Sequence, residues 1–264
     1  MSEPTPSVPD FSGYTLPPDA LLGRVIALTG ASDGLGRALA VAAARAGAEV
    51  ILMGRAVKRL EVVEREIQAL GRHPATLAPL DLEKALAGDY DQIANAIEQR
   101  YGRLDGLVHA AALPGALAPI EHYDVPTWCR LLHVNLTAPF ALTQVLLRAL
   151  RAAPDGSVVF ASCAQAVRPE PWWGAYAVSK AGLDALALTL AEELEGQPAL
   201  RVNLVDPGPM RTRLRRAAYP SADLSPLPPP EAVVAPFLWL LSGASRGCNG
   251  RRLTPRLDAP DSSR

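Results

Sequence analysis

Apolar segments of strand length alternate with segments of helix length through most of this chain. Runs that are almost wholly apolar predict strands at 24–29, 49–53, 75–80, 104–109, 157–162 and 200–205, with a weak last strand at 251–254. Apolar residues at helical spacing predict helices at 35–46, 60–70, 90–100, 128–150 and 174–194. Strands that are apolar on both faces, each followed by a helix, indicate a parallel sheet covered on both sides. The sequence therefore predicts one α/β domain built on a doubly wound parallel sheet of six to seven strands.

Prolines are concentrated outside the first part of this alternating region. Of the 25 prolines, five lie in the first 18 residues and six in the segment 220–236, whereas none lies in 20–73. We expect residues 1–20 to form a flexible, proline-rich arm, because they offer little to a packed core. The domain is expected to cover residues 21–255, followed by a tail at 256–264.

Composition and charge narrow the function classes. The 264 residues carry a net charge of −1, with 20% charged and 49% apolar residues, so nothing indicates a surface for nucleic acid. The first residues lack a basic segment followed by an apolar one, and the longest uncharged segment, 131–147, contains polar residues. We expect a cytoplasmic protein that contacts no membrane. Its three cysteines are far apart and its four histidines form no metal-binding motif, so neither a disulfide nor a metal site is expected.

A glycine-rich turn follows the first predicted strand and opens the first predicted helix. It reads Thr29-Gly30-Ala31-Ser32-Asp33-Gly34-Leu35-Gly36. Glycines here let backbone N–H groups approach a pyrophosphate closely, and the helix start offers its positive end to the phosphates. A turn also uses glycine for purely steric reasons. Because this one lies at the first strand–helix junction of an α/β sheet, we predict a dinucleotide site.

The end of the second predicted strand distinguishes between dinucleotides. A site that prefers NAD(H) usually has an acidic residue about 20 positions after the glycine turn, where it grips the ribose 2′-hydroxyl. This chain has Met53-Gly54-Arg55 there. The planar fork of an arginine pairs with a 2′-phosphate, although Arg55 also suits an ordinary exposed surface. NADP(H) is therefore favoured over NAD(H).

A tyrosine and a lysine lie four residues apart at the start of the helix predicted at 174–194. This spacing puts Tyr176 and Lys180 on one helix face. A phenol with a pKa of about 10 is a poor acid–base catalyst at neutral pH, and a nearby cation lowers that pKa. Such a pair often occurs by accident at a surface. Here it follows the fifth predicted strand, at the sheet edge where ligands bind, so we predict that Tyr176 is catalytic and Lys180 assists it.

Taken together, these motifs resemble those of the short-chain dehydrogenase/reductase family over about residues 22–241. The resemblance is carried, in chain order, by the glycine turn, Asn135, Ser162, Tyr176-x-x-x-Lys180 and Pro207-Gly208. The turn and the segment 173–180 are more narrowly similar to the YciK-type bacterial branch of oxidoreductases. The family implies a Rossmann-type fold, a nicotinamide cofactor, a small-molecule substrate and a homodimer or homotetramer.

The resemblance also implies roles for individual residues. Tyr176 would exchange a proton with the substrate oxygen, while Lys180 would lower the pKa of Tyr176 and hold the nicotinamide ribose. Ser162 would hydrogen-bond the substrate oxygen. Asn135 would hold a water for proton relay, although it equally suits the satisfaction of buried backbone groups, just as Asp81 suits a helix cap. The residues implied in cofactor binding are Gly30, Ser32, Asp33, Gly34, Leu35, Gly36, Arg55, Asp81, Leu82, Ala110, Ala111, Asn135, Tyr176, Lys180, Pro207, Gly208 and Thr212.

Two places depart from the family pattern. The chain has His109-Ala110-Ala111-Ala112 where family members usually have Asn-Asn-Ala-Gly, so local hydrogen bonds and the approach to the cofactor are in question. The family's active serine commonly lies 13 residues before the tyrosine; Cys163 has that spacing, and Ser162 lies 14 before. A thiol is a weak hydrogen-bond donor. We favour Ser162 over Cys163, because a bulge at a strand exit easily changes which side chain faces the site.

The sequence indicates less about the substrate than about the cofactor. Trp172 and Trp173 suit either the wall of an apolar pocket or the core. Arginines follow Pro207-Gly208 in the loop at about 209–230 that we expect to cover the substrate. They favour an anionic substrate, although a solvated helix face is the more ordinary interpretation. The four residues are Arg211, Arg213, Arg215 and Arg216.

The sequence thus predicts an NADP(H)-dependent oxidoreductase that transfers hydride between nicotinamide and a carbonyl or alcohol substrate. The departures from the family pattern leave open a catalytically weakened nucleotide-binding or regulatory protein with the same fold. A methyltransferase that uses S-adenosylmethionine on a related sheet would leave Tyr176 and Lys180 unexplained. The uncharged segment 131–147 is a candidate subunit interface.

Overall fold

The structure is a computed structural model that describes residues 7–197 and 199–255. Its strands are β1 (Val25–Thr29), β2 (Glu49–Gly54), β3 (Thr76–Pro79), β4 (Gly106–His109), β5 (Gly156–Ala161), β6 (Leu200–Val205) and β7 (Arg252–Leu253). They pair in parallel in one sheet, in the order β3-β2-β1-β4-β5-β6-β7. The doubly wound parallel sheet is confirmed, with seven strands.

Helices connect these strands. They are α1 (Gly34–Arg45), α2 (Val57–Gln68), α3 (Ala87–Tyr101), α4 (Val125–Leu132), α5 (Ala138–Arg151), α6 (Gly174–Glu193), α7 (Arg213–Ala218) and α8 (Ala235–Leu241). The long helix predicted at 128–150 is present but irregular: α4 continues into α5 through a turn of π-helix, His133–Thr137. The spacing of apolar residues gave no sign of this turn, because the same spacing continues through both helices. Turns of π-helix are frequent at functional sites.

Two apolar layers cover the sheet. On one face, α1 and α8 pack against the strands, and Ala40, Ala43 and Ala44 of α1 are fully buried. On the other face, α3, α5 and α6 bury their apolar residues against the same strands. The alanines allow α1 to lie close to the sheet, which fixes the position of the glycine turn from which this helix starts.

The beginning of the described chain is part of the first layer. Phe11 is buried, and its ring packs edge-to-face on Trp239 of α8 with 6.0 Å between the ring centroids. This packing departs from the flexible arm predicted at 1–20, because one aromatic side chain anchors a segment whose prolines favour disorder. Residues 1–6 of that arm and the tail predicted at 256–264 lie outside the described residues.

The strand order reverses between β1 and β4. The chain runs outward from β1 through β2 to β3, returns to β4 on the other side of β1, and then continues outward to β7. A sheet built this way has a crevice at the carboxyl ends of its strands, at the point of reversal. The candidate site is therefore expected beyond β1 and β4.

Across 7–197 and 199–255, every helix is too short or too polar to span a bilayer. The same residues hold no cluster of three or more histidine, cysteine or acidic side chains suited to a metal ion. Cys129, Cys163 and Cys248 are free thiols.

Candidate active site

A cleft of about 1440 Å³ lies at the carboxyl ends of the strands, where the sheet topology places a ligand. All but one of the residues predicted to bind the cofactor line it, the exception being Asn135. Ser162 and Cys163, the two candidates for the substrate contact, also line it. The predicted cofactor residues on its wall are Gly30, Ser32, Asp33, Gly34, Leu35, Gly36, Arg55, Asp81, Leu82, Ala110, Ala111, Tyr176, Lys180, Pro207, Gly208 and Thr212.

The glycine turn needs its glycines for space as well as for conformation. Gly30 has a φ of +69°, and a Cβ there would lie 2.9 Å from the backbone of Ala111. A Cβ on Gly36 would lie 2.3 Å from the carbonyl oxygen of Gly30. The carboxylate of Asp33 caps the start of α1 by accepting a hydrogen bond of 2.8 Å from the N–H of Gly34. The turn is thus a tight cradle directly before a helix start, the arrangement that binds phosphate groups.

The segment after β4, where the family pattern is broken, is held by Thr29 at the end of β1. Its hydroxyl accepts hydrogen bonds of 3.2 Å from the backbone N–H groups of both Ala110 and Ala111. The ring of His109 is buried, stacks on Phe160 and forms a hydrogen bond of 2.8 Å with Thr143. Burial lowers the pKa of His109 to about 3, so the ring is neutral. The loop is therefore ordered by other groups despite the missing asparagine.

Two arginines flank the end of the cleft beyond β2. Arg55 and Arg59 both line it and are half or more exposed. Arg55 lies 3.5 Å from a carboxylate oxygen of Glu83, and Arg59 lies 3.5 Å from one of Asp33. The sequence analysis identified Arg55 and missed Arg59. Its position in the first turn of α2, four residues after Arg55, was the signal that could have revealed it.

Tyr176 and Lys180 lie in the first turns of α6 and line the cleft, both buried. The Lys180 ammonium lies 5.8 Å from the centroid of the Tyr176 ring and donates a hydrogen bond of 2.8 Å to the carbonyl of Ala161. The predicted pair is therefore brought together at the end of β5. Burial lowers the pKa of Lys180 from its ordinary value.

The electrostatics of Tyr176 differ from the sequence prediction. Burial raises the pKa of its hydroxyl above the ordinary value, and the adjacent Cys163 thiol and the Asp206 carboxylate act in the same direction. Arg215 opposes them. The expected lowering of this pKa by Lys180 is therefore reversed, because burial of the phenol outweighs the nearby cations. Tyr176 is held as a protonated phenol, the form that donates a proton.

The two candidates for the substrate contact face different ways. The thiol of Cys163 lies beside the Tyr176 hydroxyl. The hydroxyl of Ser162 instead accepts a hydrogen bond of 2.6 Å from Arg252, which also pairs closely with Asp184. The structure thus has Cys163 in the orientation expected of Ser162. The regular extension of β5 continues to its last residue, so no bulge exchanges the two side chains.

Arg252 of β7 organises the region behind these residues. Its guanidinium donates to the carbonyl of Cys163 at 2.6 Å and to Asp206 at 3.1 Å, and it pairs closely with Asp184. The sequence analysis missed this residue because an arginine made the last strand look poorly suited to burial. The two carboxylates that neutralise it are distant in sequence, so no local pattern could have shown them.

Asn135 is fully buried in the π-turn and makes contacts that are structural. Its amide nitrogen donates at 3.0 Å to the carbonyl of Leu113 and to the hydroxyl of Ser179, and its oxygen accepts from the N–H of Leu113 at 2.8 Å. Both N–H groups of the side chain are therefore used. This matches the structural alternative given in the sequence analysis, the satisfaction of buried backbone groups.

Backbone turns position the remaining cofactor candidates. The carboxylate of Asp81 accepts a hydrogen bond of 3.2 Å from the N–H of Glu83 and so closes a turn; no helix starts at this residue, so the capping alternative is wrong. Gly208 has a φ of +71°, and its N–H donates to Asp206 at 3.0 Å. The Thr212 hydroxyl caps the first turn of α7 at 3.1 Å from the N–H of Arg215. These contacts hold the lining of the cleft in place.

Aromatic residues form the wall nearest Tyr176. The Trp173 ring packs against Tyr176 and Tyr219, with centroid distances of 5.2 Å and 5.9 Å. Trp173 is buried and lines the cleft, whereas Trp172 is 60% exposed, so only the second tryptophan forms the expected pocket wall. Residues 226–228 of the proline-rich segment 220–236 also line the cleft.

Comparison with known proteins gives one consistent result. Residues 24–222 match the model of the family described as short chain dehydrogenase. The uncharacterized oxidoreductase YciK of Escherichia coli K12 is 39% identical over 233 residues, which covers 88% of this chain and 91% of YciK.

Solved structures resemble the whole domain. One from Pseudomonas syringae, described as a short chain dehydrogenase, superposes with a TM-score of 0.90 at 39% identity and covers 92% of this chain and 98% of that one. A short chain dehydrogenase from Escherichia coli CFT073, solved in complex with NADPH, has a TM-score of 0.87 at 38% identity and covers 91% and 100% of the two chains.

Proposed function

This chain belongs to the short chain dehydrogenase family, with YciK-like oxidoreductases among its relatives, and from that premise we propose its activity. We propose that it is an NADP(H)-dependent oxidoreductase that transfers hydride between nicotinamide and a carbonyl or alcohol substrate, with Tyr176 as the acid–base group. The observation that carries this proposal is the buried Tyr176–Lys180 pair at one end of a cleft whose other end is a glycine cradle.

The residues present fit a dinucleotide. The cradle admits no Cβ at Gly30 or Gly36, and the start of α1 adds backbone N–H groups and a positive helix end for a pyrophosphate. Arg55 and Arg59 at the far end suit a 2′-phosphate, which agrees with the NADPH complex of the E. coli relative. When bound, the cofactor supplies or accepts the hydride.

The chain itself handles the proton. Tyr176 donates its phenolic proton to the substrate oxygen during reduction, and its raised pKa keeps that proton in place at neutral pH. Lys180, fixed by its bond to the Ala161 carbonyl, keeps a positive charge near the phenol as negative charge develops there. In the reverse direction the same hydroxyl group accepts the proton of an alcohol substrate.

The aromatic and apolar wall keeps water from the reacting carbonyl. Trp173 and Tyr219 line the cleft beside Tyr176, and the apolar segment 226–228 lines it as well. Exclusion of water strengthens each polar interaction with the substrate oxygen. Consumption of NADPH with a panel of aldehydes and ketones is the direct test of the activity.

A second candidate function is a catalytically weakened protein that binds the nucleotide for regulation. It is favoured by one observation, the Cys163 thiol beside Tyr176 with the Ser162 hydroxyl already bonded to Arg252. Tight NADPH binding without turnover of any compound in the panel would support this alternative. Turnover of any of them at a rate typical of enzymes would exclude it. The homodimer or homotetramer and the cytoplasmic location stay predictions.

Replacement of Arg55 tests the preference for NADPH. We expect Arg55→Asp to weaken NADPH binding by about tenfold to a hundredfold, because a charge-assisted bond to the 2′-phosphate is lost and a repulsion replaces it. The same change is expected to improve NADH binding, since a carboxylate accepts from the ribose 2′-hydroxyl. Titration of each variant with both cofactors measures the two dissociation constants.

The matched control for this change is Arg65→Asp. Arg65 is exposed on α2 but does not line the cleft, so its replacement changes the charge of the protein equally without touching the cofactor site. Tighter binding of NADH than NADPH by the unaltered protein would contradict the role given to Arg55.

Replacement of Cys163 by serine tests whether this position contacts the substrate oxygen. We expect Cys163→Ser to raise kcat/KM for carbonyl reduction by about tenfold, because a hydroxyl donates a stronger hydrogen bond than a thiol. Cys163→Ala should lower it or leave it unchanged. Steady-state kinetics on one accepted aldehyde compare the variants, with exposed Cys129→Ser as the control. Equal activity of the serine and alanine variants would show that position 163 does not bind the substrate oxygen.

A further inference from the structure

The four arginines after Pro207-Gly208 have different surroundings, which the sequence could not distinguish. Arg211 and Arg216 are exposed and do not line the cleft, and Arg216 donates to the carbonyls of Pro220 and Ala222 at 3.0 Å and 2.7 Å. Arg213 is exposed and lies 3.6 Å from a carboxylate oxygen of Asp33. Only Arg215 turns its guanidinium toward the substrate end of the cleft.

The guanidinium of Arg215 is partly buried without a polar partner. It stacks on the ring of Tyr219 at 4.1 Å, and its Nε is buried with no hydrogen-bond partner among the described residues. A buried charged donor without an acceptor is costly, so such groups are usually paired. The stacking on Tyr219 holds the planar group in one orientation, which leaves its N–H edge available to an anion.

The other cations of the cleft already have partners. Arg55, Arg59 and Arg213 each lie within 3.6 Å of a carboxylate oxygen, and Lys180 donates to a backbone carbonyl. Among the described residues that line the cleft, Arg215 is thus the cation without a hydrogen bond or ion pair.

The acidic groups near the substrate end do not compensate Arg215. Asp206 is bound by Arg252 at 3.1 Å, and Glu170 accepts a hydrogen bond from Gln165 at 3.0 Å. The positive charge of Arg215 is therefore not neutralised, and it lies in the partly buried wall of the cleft that Tyr176 also lines. Clefts lined in this way concentrate ligands of the opposite charge.

The position of Arg215 relative to Tyr176 sets the shape of the ligand. Trp173 contacts both Tyr176 and Tyr219, and Arg215 stacks on the Tyr219 ring, so a continuous series of ring contacts links Tyr176 to the guanidinium. A substrate on this wall has its carbonyl at Tyr176, an apolar or aromatic middle and a charged end at Arg215. The planar fork of arginine matches a carboxylate.

We propose that Arg215 is a substrate-binding residue and that the substrate class is oxo acids, carbonyl compounds that carry a carboxylate separated from the carbonyl by an apolar segment. This inference rests on the proposed function, since it names the substrate of that site. The loop at 209–230, which contains Arg215, would then select for an anionic substrate.

The test compares one aldehyde with and without its charge. The pair is para-formylbenzoate and its methyl ester, assayed with NADPH on the unaltered protein and on Arg215→Met, Arg215→Lys and Arg211→Met. We expect the unaltered protein to prefer the acid, and Arg215→Met to lower the ratio of kcat/KM for the acid to that for the ester about tenfold to a hundredfold. Any effect of Arg215 on the pKa of Tyr176 acts on both reactions and cancels in this ratio. Arg215→Lys should lie between, because it keeps the charge and loses the fork, and Arg211→Met should match the unaltered protein.

Two results would overturn the inference while the proposed function stands: equal or better reduction of the ester, or an equal loss of both reactions in Arg215→Met. Calorimetric titration with para-toluate, which has the carboxylate but no carbonyl, separates the two proposals. If neither aldehyde is reduced, the activity fails on this substrate pair. Binding of para-toluate that Arg215→Met abolishes would still support the anion site, and equal binding by both proteins would exclude it. Circular dichroism of each variant verifies its fold.

Discussion

Tyr176→Phe is expected to lower kcat/KM for carbonyl reduction by about a hundredfold to ten-thousandfold, the usual contribution of a positioned acid–base group. The change removes one oxygen atom from a buried ring that packs on Trp173, so the shape of the cleft is preserved. The affinity for NADPH should change little, because the glycine cradle and the arginines beyond β2 are untouched. Steady-state kinetics and cofactor titration of the same preparation measure both quantities.

A second buried tyrosine provides the control for this variant. The hydroxyl of Tyr90 in α3 is buried without a hydrogen-bond partner in the described residues and lies outside the cleft. Tyr90→Phe removes the same atom, so activity should be retained. Retention of activity by Tyr176→Phe would refute the proposed acid–base role, and equal losses in both variants would indicate a general effect on the fold.

The parts of the fold that sequence predicts well are those fixed by local patterning. The strand at Leu200–Val205 was predicted with its observed bounds, because leucines and valines at alternate positions between turns have few other solutions. The glycine turn was placed correctly for a similar reason, since steric needs restrict Gly30 and Gly36. These signals lie within a few residues of one another, so no knowledge of distant contacts was required.

The predictions that failed concern residues whose surroundings are set by contacts between segments distant in the sequence. β7 looked weak because Arg252 seems unsuited to burial, and only the fold brings Asp184 and Asp206 to its guanidinium. Ser162 and Cys163 could not be distinguished because β5 is buried on both faces, which removes the usual alternation of apolar and polar residues. Likewise, the four arginines near α7 are equivalent in sequence, and their separation into solvated and cleft-lining groups needs the packing of Tyr219.

Removal of the charge at Asp155 is expected to be among the most destabilising single changes in the protein. The carboxylate of Asp155 pairs closely with Arg201, which is almost completely buried, and with Arg24. Burial by itself raises the pKa of Asp155, but the two guanidinium groups outweigh it and hold the pKa below its ordinary value. In Asp155→Asn the buried charge of Arg201 has no compensating carboxylate. We expect a loss of about 3–5 kcal/mol in the free energy of unfolding at neutral pH.

Urea unfolding measures this loss, and the exposed pair of Arg37 and Glu66 supplies the comparison. Their ionic atoms are 2.8 Å apart and both side chains are more than a third exposed, so Glu66→Gln should cost less than about 1 kcal/mol.

Adding Arg201→Met to Asp155→Asn should recover part of the loss, because no unpaired charge then stays buried. The deficit of Asp155→Asn should shrink as the pH falls from 3.8, the ordinary pKa of an aspartate, towards the lowered pKa of the folded state, because the unfolded form of the unaltered protein binds a proton at Asp155 before the folded form does. A deficit independent of pH down to the acid transition would mean that packing, rather than charge, makes this position important.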